Sequence, residues 1–164
     1  MLQLKKQQLQ VERQAVQQAI EQNRAAAETL IREARAWIAL LPENGARLPE
    51  LVRAPQIRLS EANIAGVVMP VFESVDFTRA ELDLFDSPPW MDEAQALIAR
   101  LAETRLRGAI LDRQAALLDA ELRTTSQRVN LFEKVKIPES RDAIRVIKIF
   151  LGDQMTADVA RGKA

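Results

Sequence analysis

The chain of 164 residues has no cysteine, no histidine and no tyrosine. The first absence removes disulfides, thiolate nucleophiles and Cys-based zinc sites. The second removes the usual base of serine catalysis and the commonest metal ligand. Aromatic residues are scarce, with five Phe and two Trp. Although 48% of residues are hydrophobic, Ala and Leu dominate that fraction. Such a composition buries a narrow stripe rather than a broad core.

Charge of one sign is not in excess either, because 23 Lys plus Arg face 23 Asp plus Glu. The chain as a whole has no field to draw it to nucleic acid or to an anionic membrane surface. Locally the balance shifts: residues 1–41 carry six basic and four acidic groups, residues 42–90 four and eight, and residues 91–164 thirteen and eleven. Two mildly basic arms therefore flank an acidic middle. The longest apolar runs, residues 36–41 and 64–72, fall far short of the roughly 20 residues a membrane span needs. Met1 opens onto Leu-Gln-Leu-Lys-Lys rather than a signal peptide. These features predict a soluble cytoplasmic protein with no direct membrane insertion.

What is present is a seven-residue repeat. Ala94, Leu101, Gly108, Ala115, Leu122 and Val129 form one row, and Leu97, Thr104, Leu111, Leu118, Thr125 and Phe132 form a second row three places on. Six heptads exceed the three or four that distinguish a coiled coil from an ordinary amphipathic helix, and a strict seven-residue period predicts a left-handed supercoil. The first 41 residues supply the partner. They contain no Gly and no Pro, and Gln occurs eight times in the first 24. Leu2, Leu9, Val16, Leu30 and Trp37 share a row interrupted by Asn23, with Ile20, Ala27, Ala34 and Leu41 beside it.

Stop signals end that arm at Leu41-Pro42, followed by Asn44-Gly45. Six of the seven prolines lie between Pro42 and Pro89, which makes the middle largely non-helical. Within it Gln56-Ile57-Arg58-Leu59-Ser60 alternates as a half-buried strand does. The β-branched run beginning at Ile64 is expected to break at Pro70, with Val71, Val75 and Phe77 in a further extended piece, giving two or three strands that lean on the helices. A helical turn is expected over residues 78–85. Ser87 as cap, Pro88 in the first turn, and Asp92 and Glu93 near the positive end of the macrodipole start the second arm. The fold class expected is therefore mainly α: a long antiparallel two-helix coiled coil, arms 1–41 and 90–152, a β-hairpin-containing foot at 42–89 and a tail at 153–164. Trp37 and Trp90 fall together at the closed end.

The arms differ in length. Residues 90–152 span roughly 95 Å as a helix and residues 1–41 about 60 Å, at about 1.5 Å per residue. With Leu41 near Asp92, Leu2 comes level with Leu131, so Ile137, Ile144, Ile147 and Leu151 extend past the paired region uncovered. Pro138 lies inside this stretch, crowds the carbonyl of Lys134 and predicts a kink or break.

Residue patterns for bond chemistry are weak. Asp83, Asp86, Asp92 and Glu93 cluster across a helix start, where capping and solvation account for them. Gly66 has no phosphate-loop pattern near it. Arg123, Arg128, Lys134, Lys136, Arg141, Arg145 and Lys148 are interleaved with acids and lack aromatics for base stacking, as on a solvated helix face. The residues point to a structural protein without catalytic, cofactor or metal sites. A general coiled-coil adaptor, docking through residues 144–151, is the alternative.

Arg128-Val129-Asn130-Leu131-Phe132-Glu133-Lys134, followed by Ile137-Pro138, resembles the D subunit of V-type (A/V-type) ATPases. Asn63-Ile64-Ala65-Gly66-Val67 with Pro70, Asp86-Ser87-Pro88-Pro89-Trp90-Met91-Asp92, and Ile149-Phe150-Leu151-Gly152-Asp153 resemble its bacterial branch. The likeness runs from Leu2 to Val159. Family members carry further helix before the point matching Leu2 and a Lys-rich tail, so this chain resembles one shortened at both ends. The resemblance implies a non-catalytic rotor axle, cytoplasmic and peripheral to the membrane. Its implied partners are the small rotor F subunit, a catalytic hexamer of A and B subunits, and a funnel-like subunit leading to the proton- or sodium-carrying ring. The seam itself is read from the heptad spacing and is carried by Leu9, Val16, Ile20, Leu30, Leu97, Leu101, Leu111, Leu118, Leu122, Val129 and Phe132.

Overall fold

A computed structural model of the chain describes residues 1–38, 52–79 and 91–162. Helix α1 spans Leu2–Ile38, strand β1 Val52–Ile64, strand β2 Val67–Arg79 and helix α2 Met91–Leu131. A π-helical turn over Phe132–Lys136 leads into α3, Ile137–Gly162. The fold is mainly helical, with a two-stranded antiparallel sheet between the helices.

Helices α1 and α2 lie antiparallel, as the pairs from α1 to α2 and to the π turn after it show. Gln3 donates to Glu133 at 2.5 Å, Lys5 meets Glu121 at 2.7 Å, Arg13 pairs with Asp119, and Arg100 lies 3.8 Å from Glu33. As the number rises on one helix it falls on the other. Asp92 and Glu93 occupy the first turn of α2, where their charge complements the exposed N–H groups. The stop and start signals at Pro42, Asn44, Gly45, Ser87 and Pro88 lie outside the described residues, as does Trp90.

The middle of the chain forms one long hairpin. Its two strands are 13 residues each, and the loop between them is Ala65-Gly66. Both loop residues have positive φ, 51° at Ala65 and 83° at Gly66. Tight hairpins favour that handedness because it matches the twist of the strands. This differs from the expected division: the apolar run from Ile64 does not form a single strand ending at Pro70 but turns back at its second and third residues. Among the described residues the middle thus forms two strands, within the two or three expected. The helical turn expected over residues 78–85 is also absent at its start, since Thr78 and Arg79 belong to β2, while residues 80–85 lie outside the described set.

Pro70 sits inside β2 opposite Glu61. A proline is tolerated where its missing N–H would point away from the partner strand. A strand residue's N–H and C=O point to the same side, and the Pro70 carbonyl accepts from Gln114 of α2 at 2.5 Å. Pro70 thus faces the helix, not β1. Pro55 lies in the register irregularity between Arg53 and Gln56, where the ladder gives up a pairing in any case.

The core is where the three parts meet. Leu9 of α1, Met69 of β2 and Leu118 of α2 are the fully buried large side chains. Val16, Ile64, Ala65, Val67, Leu117 and Leu122 pack around them. The hairpin therefore lies along α2 with its tip against the coil, rather than only closing one end. Val75 and Phe77, near its base, share a depression with Ala96 and Ala99.

Candidate interaction surface

The paired faces of α1 and α2 position the remaining elements. Leu9, Ile20, Leu30, Leu118 and Val129 are buried, and Val16, Leu97, Leu101, Leu111 and Leu122 are half-buried. Phe132 is 47% exposed, since α1 ends beside it. Asn23 interrupts the apolar row of α1 and points its amide into α2, donating to the Thr104 carbonyl at 3.0 Å. Gly108 sits one turn further on, and a Cβ there would stand 2.9 Å from that amide nitrogen. The small residue makes room for the polar one.

A second face of α2 was not legible from the heptads. Gln95, Ala99 and Gln114 are buried although none belongs to the seam. Ala99 and Gln114 lie toward the hairpin, where Gln114 holds the Pro70 carbonyl and the Arg107 guanidinium stands 4.9 Å from the centre of the Phe72 ring. The residues facing the ribbon, Ala96, Ala99, Glu103, Arg107, Ile110 and Gln114, do recur at three- and four-residue steps. Half of them are polar, so an apolar-periodicity reading passes over them.

Between ribbon, α1 and α2 runs an open groove of about 790 Å³. Ala19, Ala26 and Leu30 form one wall, Val71 and Phe72 another, and Thr104 and Leu111 the floor. On the N-terminal part of α1, Lys5, Glu121 and the hairpin tip converge. A Cβ on Gly66 would be 3.6 Å from Lys5 Nζ, and the Lys5 ammonium bonded to Glu121 holds that carboxyl below the usual carboxylate range.

Helix α3 is uncovered along its whole described length. Ile144, Ile147 and Leu151 are each more than half exposed, and so are Ile149, Phe150, Met155 and Val159. Exposed large apolar side chains in this number on one helix are of the kind found where proteins dock. No helix among the described residues is long and apolar enough to cross a membrane.

Pro138 neither breaks nor ends the helix. The Ile137 N–H donates to the Phe132 carbonyl, five residues back. The wider π turn fits a residue without an N–H and relieves its ring from the carbonyl four places before. Of the Arg-Val-Asn and Ile-Pro residues, Val129 is buried, whereas Arg128, Asn130, Ile137 and Pro138 are exposed. The side chain of Trp37 lies outside the described residues. Arg123, Arg128, Lys134, Lys136, Arg141, Arg145 and Lys148 are all exposed, and Lys136 pairs with Glu139 at 3.0 Å. Among the described residues no three acidic side chains converge as metal ligands would. Asp83 and Asp86 lie outside that set.

Comparison with known proteins places this architecture. The profile of the ATP synthase D-subunit family matches residues 1–164. The V-type ATP synthase D subunit of Borreliella burgdorferi is 37% identical over 164 residues, covering 99% of this chain and 80% of its own. That of Chlamydia trachomatis is 38% identical over 101 residues, 62% of this chain and 50% of its own. The Chlamydia muridarum protein of the same name is 39% identical over a stretch of the same length.

Proposed function

The chain belongs to the ATP synthase D-subunit family, and from that premise we propose that it is the non-catalytic central-stalk axle of a rotary V-type ATPase, transmitting torque between the catalytic hexamer and the membrane ring. The observation that carries this reading is the single helical run of α2, π turn and α3, which α1 stiffens along one part and leaves bare along the rest. A shaft has to be stiff where it is paired and has to present side chains where it is gripped. Ion pairs across the α1–α2 seam and a docked ribbon oppose twisting of one helix about the other. The bare α3 offers an irregular apolar and charged surface, and a rotating surface of that kind favours different states of the proteins encircling it in turn.

In this reading α3 enters the hexamer of A and B subunits, the flank formed by α1, α2 and the ribbon receives the small rotor F subunit, and the closed end of the coil, to which Trp37 and Trp90 are assigned, is the foot toward the funnel-like subunit. The protein works on the cytoplasmic side, peripheral to the membrane, with protons or sodium ions moved by the ring. Reconstitution tests this. Wild-type chain added to the A, B and F subunits of the same source should assemble and restore ATP-driven rotation of a bead fixed to the shaft. An I144D/I147D/L151D variant should retain its helicity yet lose rotation. Rotation that survives in the triple variant, or a wild-type chain that captures neither the F subunit nor the hexamer, would overturn the axle assignment.

A further inference from the structure

The heptads of α2 and those of α3 are out of step by one residue. The row Ala94, Leu101, Gly108, Ala115, Leu122, Val129 would next reach Lys136, Ala143 and Phe150, whereas the row of large aliphatic side chains that follows is Ile137, Ile144, Leu151, with Ile147 three places after Ile144. The step from the last residue of the second row, Phe132, to Ile137 is five where the repeat calls for four. In an uninterrupted α-helix each residue turns the chain by about 100°. An extra residue would therefore swing the α3 row about a quarter of a turn or more away from the line of the seam.

The π turn lies in that gap. It spans Phe132–Lys136, and its hydrogen bond runs from the Ile137 N–H to the Phe132 carbonyl. The two residues joined are the last of the α2 seam and the first of the α3 row. A single π turn takes up one residue without advancing the face, so a five-residue step acquires the direction of a four-residue step. Pro138 follows immediately, and its ring crowds the Lys134 carbonyl in any regular α-helix through this point.

We propose that Pro138 and the π turn form a phase corrector, which keeps the apolar row of α3 in line with the α2 seam despite the inserted residue. It is a property of the shaft's geometry and holds whether or not the torque reading does. No partner is required to maintain it: α3 has no helix beside it among the described residues, and the proline alone disfavours the α-helical alternative.

Spin-label distances test it in the full chain, which has no native cysteine to interfere. Thr124, Asp142 and Ala143 are exposed. Eighteen residues make five turns of a regular α-helix. Without the π turn, labels at Thr124 and Asp142 would share one line along the helix. With it, Thr124 and Ala143 do. In the wild-type chain the Thr124–Ala143 distance is expected to be the shorter of the two. In Pro138→Ala the order should reverse, each difference amounting to a few ångströms. Deleting Val135 in the Pro138→Ala background should restore the original order, because the repeat is then in phase without a π turn. Circular dichroism checks that all three remain helical. Unchanged order in Pro138→Ala, a wild-type order matching the regular helix, or failure of the deletion to restore it would each overturn the proposal.

Discussion

The side-chain amide of Asn23 donates to the backbone carbonyl of Thr104 across the seam, at 3.0 Å. A polar residue in an apolar row sacrifices hydrophobic stabilisation, and it is retained where it selects one alignment of the helices over others. Sliding the arms by a heptad would separate Asn23 from both Thr104 and the space left by Gly108, and would leave the amide facing apolar side chains.

Gly108→Ala should therefore depend on Asn23. Replacing a mid-helix glycine by alanine stabilises a helix by about 1 kcal/mol, whereas losing a hydrogen bond costs a similar amount, about 1 kcal/mol. In the wild-type chain the new Cβ would displace the Asn23 amide, and the two effects nearly cancel. In an Asn23→Ala background the helical gain is expected in full. Urea unfolding of the four proteins in this cycle checks the coupling, which additive free energies would disprove.

Leu118 is fully buried against Leu9 and Met69, so Leu118→Ala should cost about 2 to 5 kcal/mol by removing contacts to two other elements at once. Leu118→Asp should abolish cooperative unfolding, since an unpaired charge there costs more still. Half-buried Leu111 should lose less on truncation to Ala. Thermal melts of the three variants rank them. Equal melting temperatures for the Leu111→Ala and Leu118→Ala chains would contradict the core assignment.

At the hairpin loop, Gly66→Ala should destabilise by about 1 to 2 kcal/mol, the cost of a side chain in left-handed backbone. Space is not the obstacle, because the nearest atom to the added Cβ, Lys5 Nζ, would be at an ordinary contact distance of 3.6 Å. Chemical denaturation, followed by hydrogen exchange of β1 and β2 amides, should show loss concentrated in the ribbon.

The Lys5–Glu121 pair makes stability pH-dependent. Lys5 holds the Glu121 carboxyl below its ordinary value of 4.5 in the folded chain. A depressed carboxyl stabilises the fold above its unfolded pKa, and that contribution disappears as pH falls through the folded value. The wild-type chain should thus be more stable than Glu121→Gln at neutral pH, with the gap closing below about pH 4.5. Denaturation midpoints measured across that interval would show a constant gap if the pair contributed nothing.

The helical arms were legible because burying one stripe against one partner leaves a seven-residue record in the sequence. Leu9, Ile20, Leu30, Leu118 and Val129, which that spacing singles out, are buried. The hairpin was only half legible. Ala65-Gly66 lacks the Asn-Gly or Asp-Gly signature of a tight loop, and Pro70 reads as a strand breaker unless its neighbour is known. Its carbonyl and missing N–H are acceptable only because α2 presents Gln114 on that side.

Gln114 and Ala99 illustrate the same limit on the helix. Their burial comes from a ribbon more than 20 residues away in sequence, so the pattern within α2 contains no trace of it beyond a row of mixed polarity. The order of residues settled the mainly helical class, the pairing of the two arms and their opposite directions, the uncovered end and the defect at Pro138, because these follow from local periodicity, length and one missing N–H. Only tertiary structure decided where the ribbon lies, which polar residues it covers, and that the defect at Pro138 is a widened turn rather than a break. Those outcomes depend on contacts between segments distant in sequence and on which of several local strains the folded helix accepts.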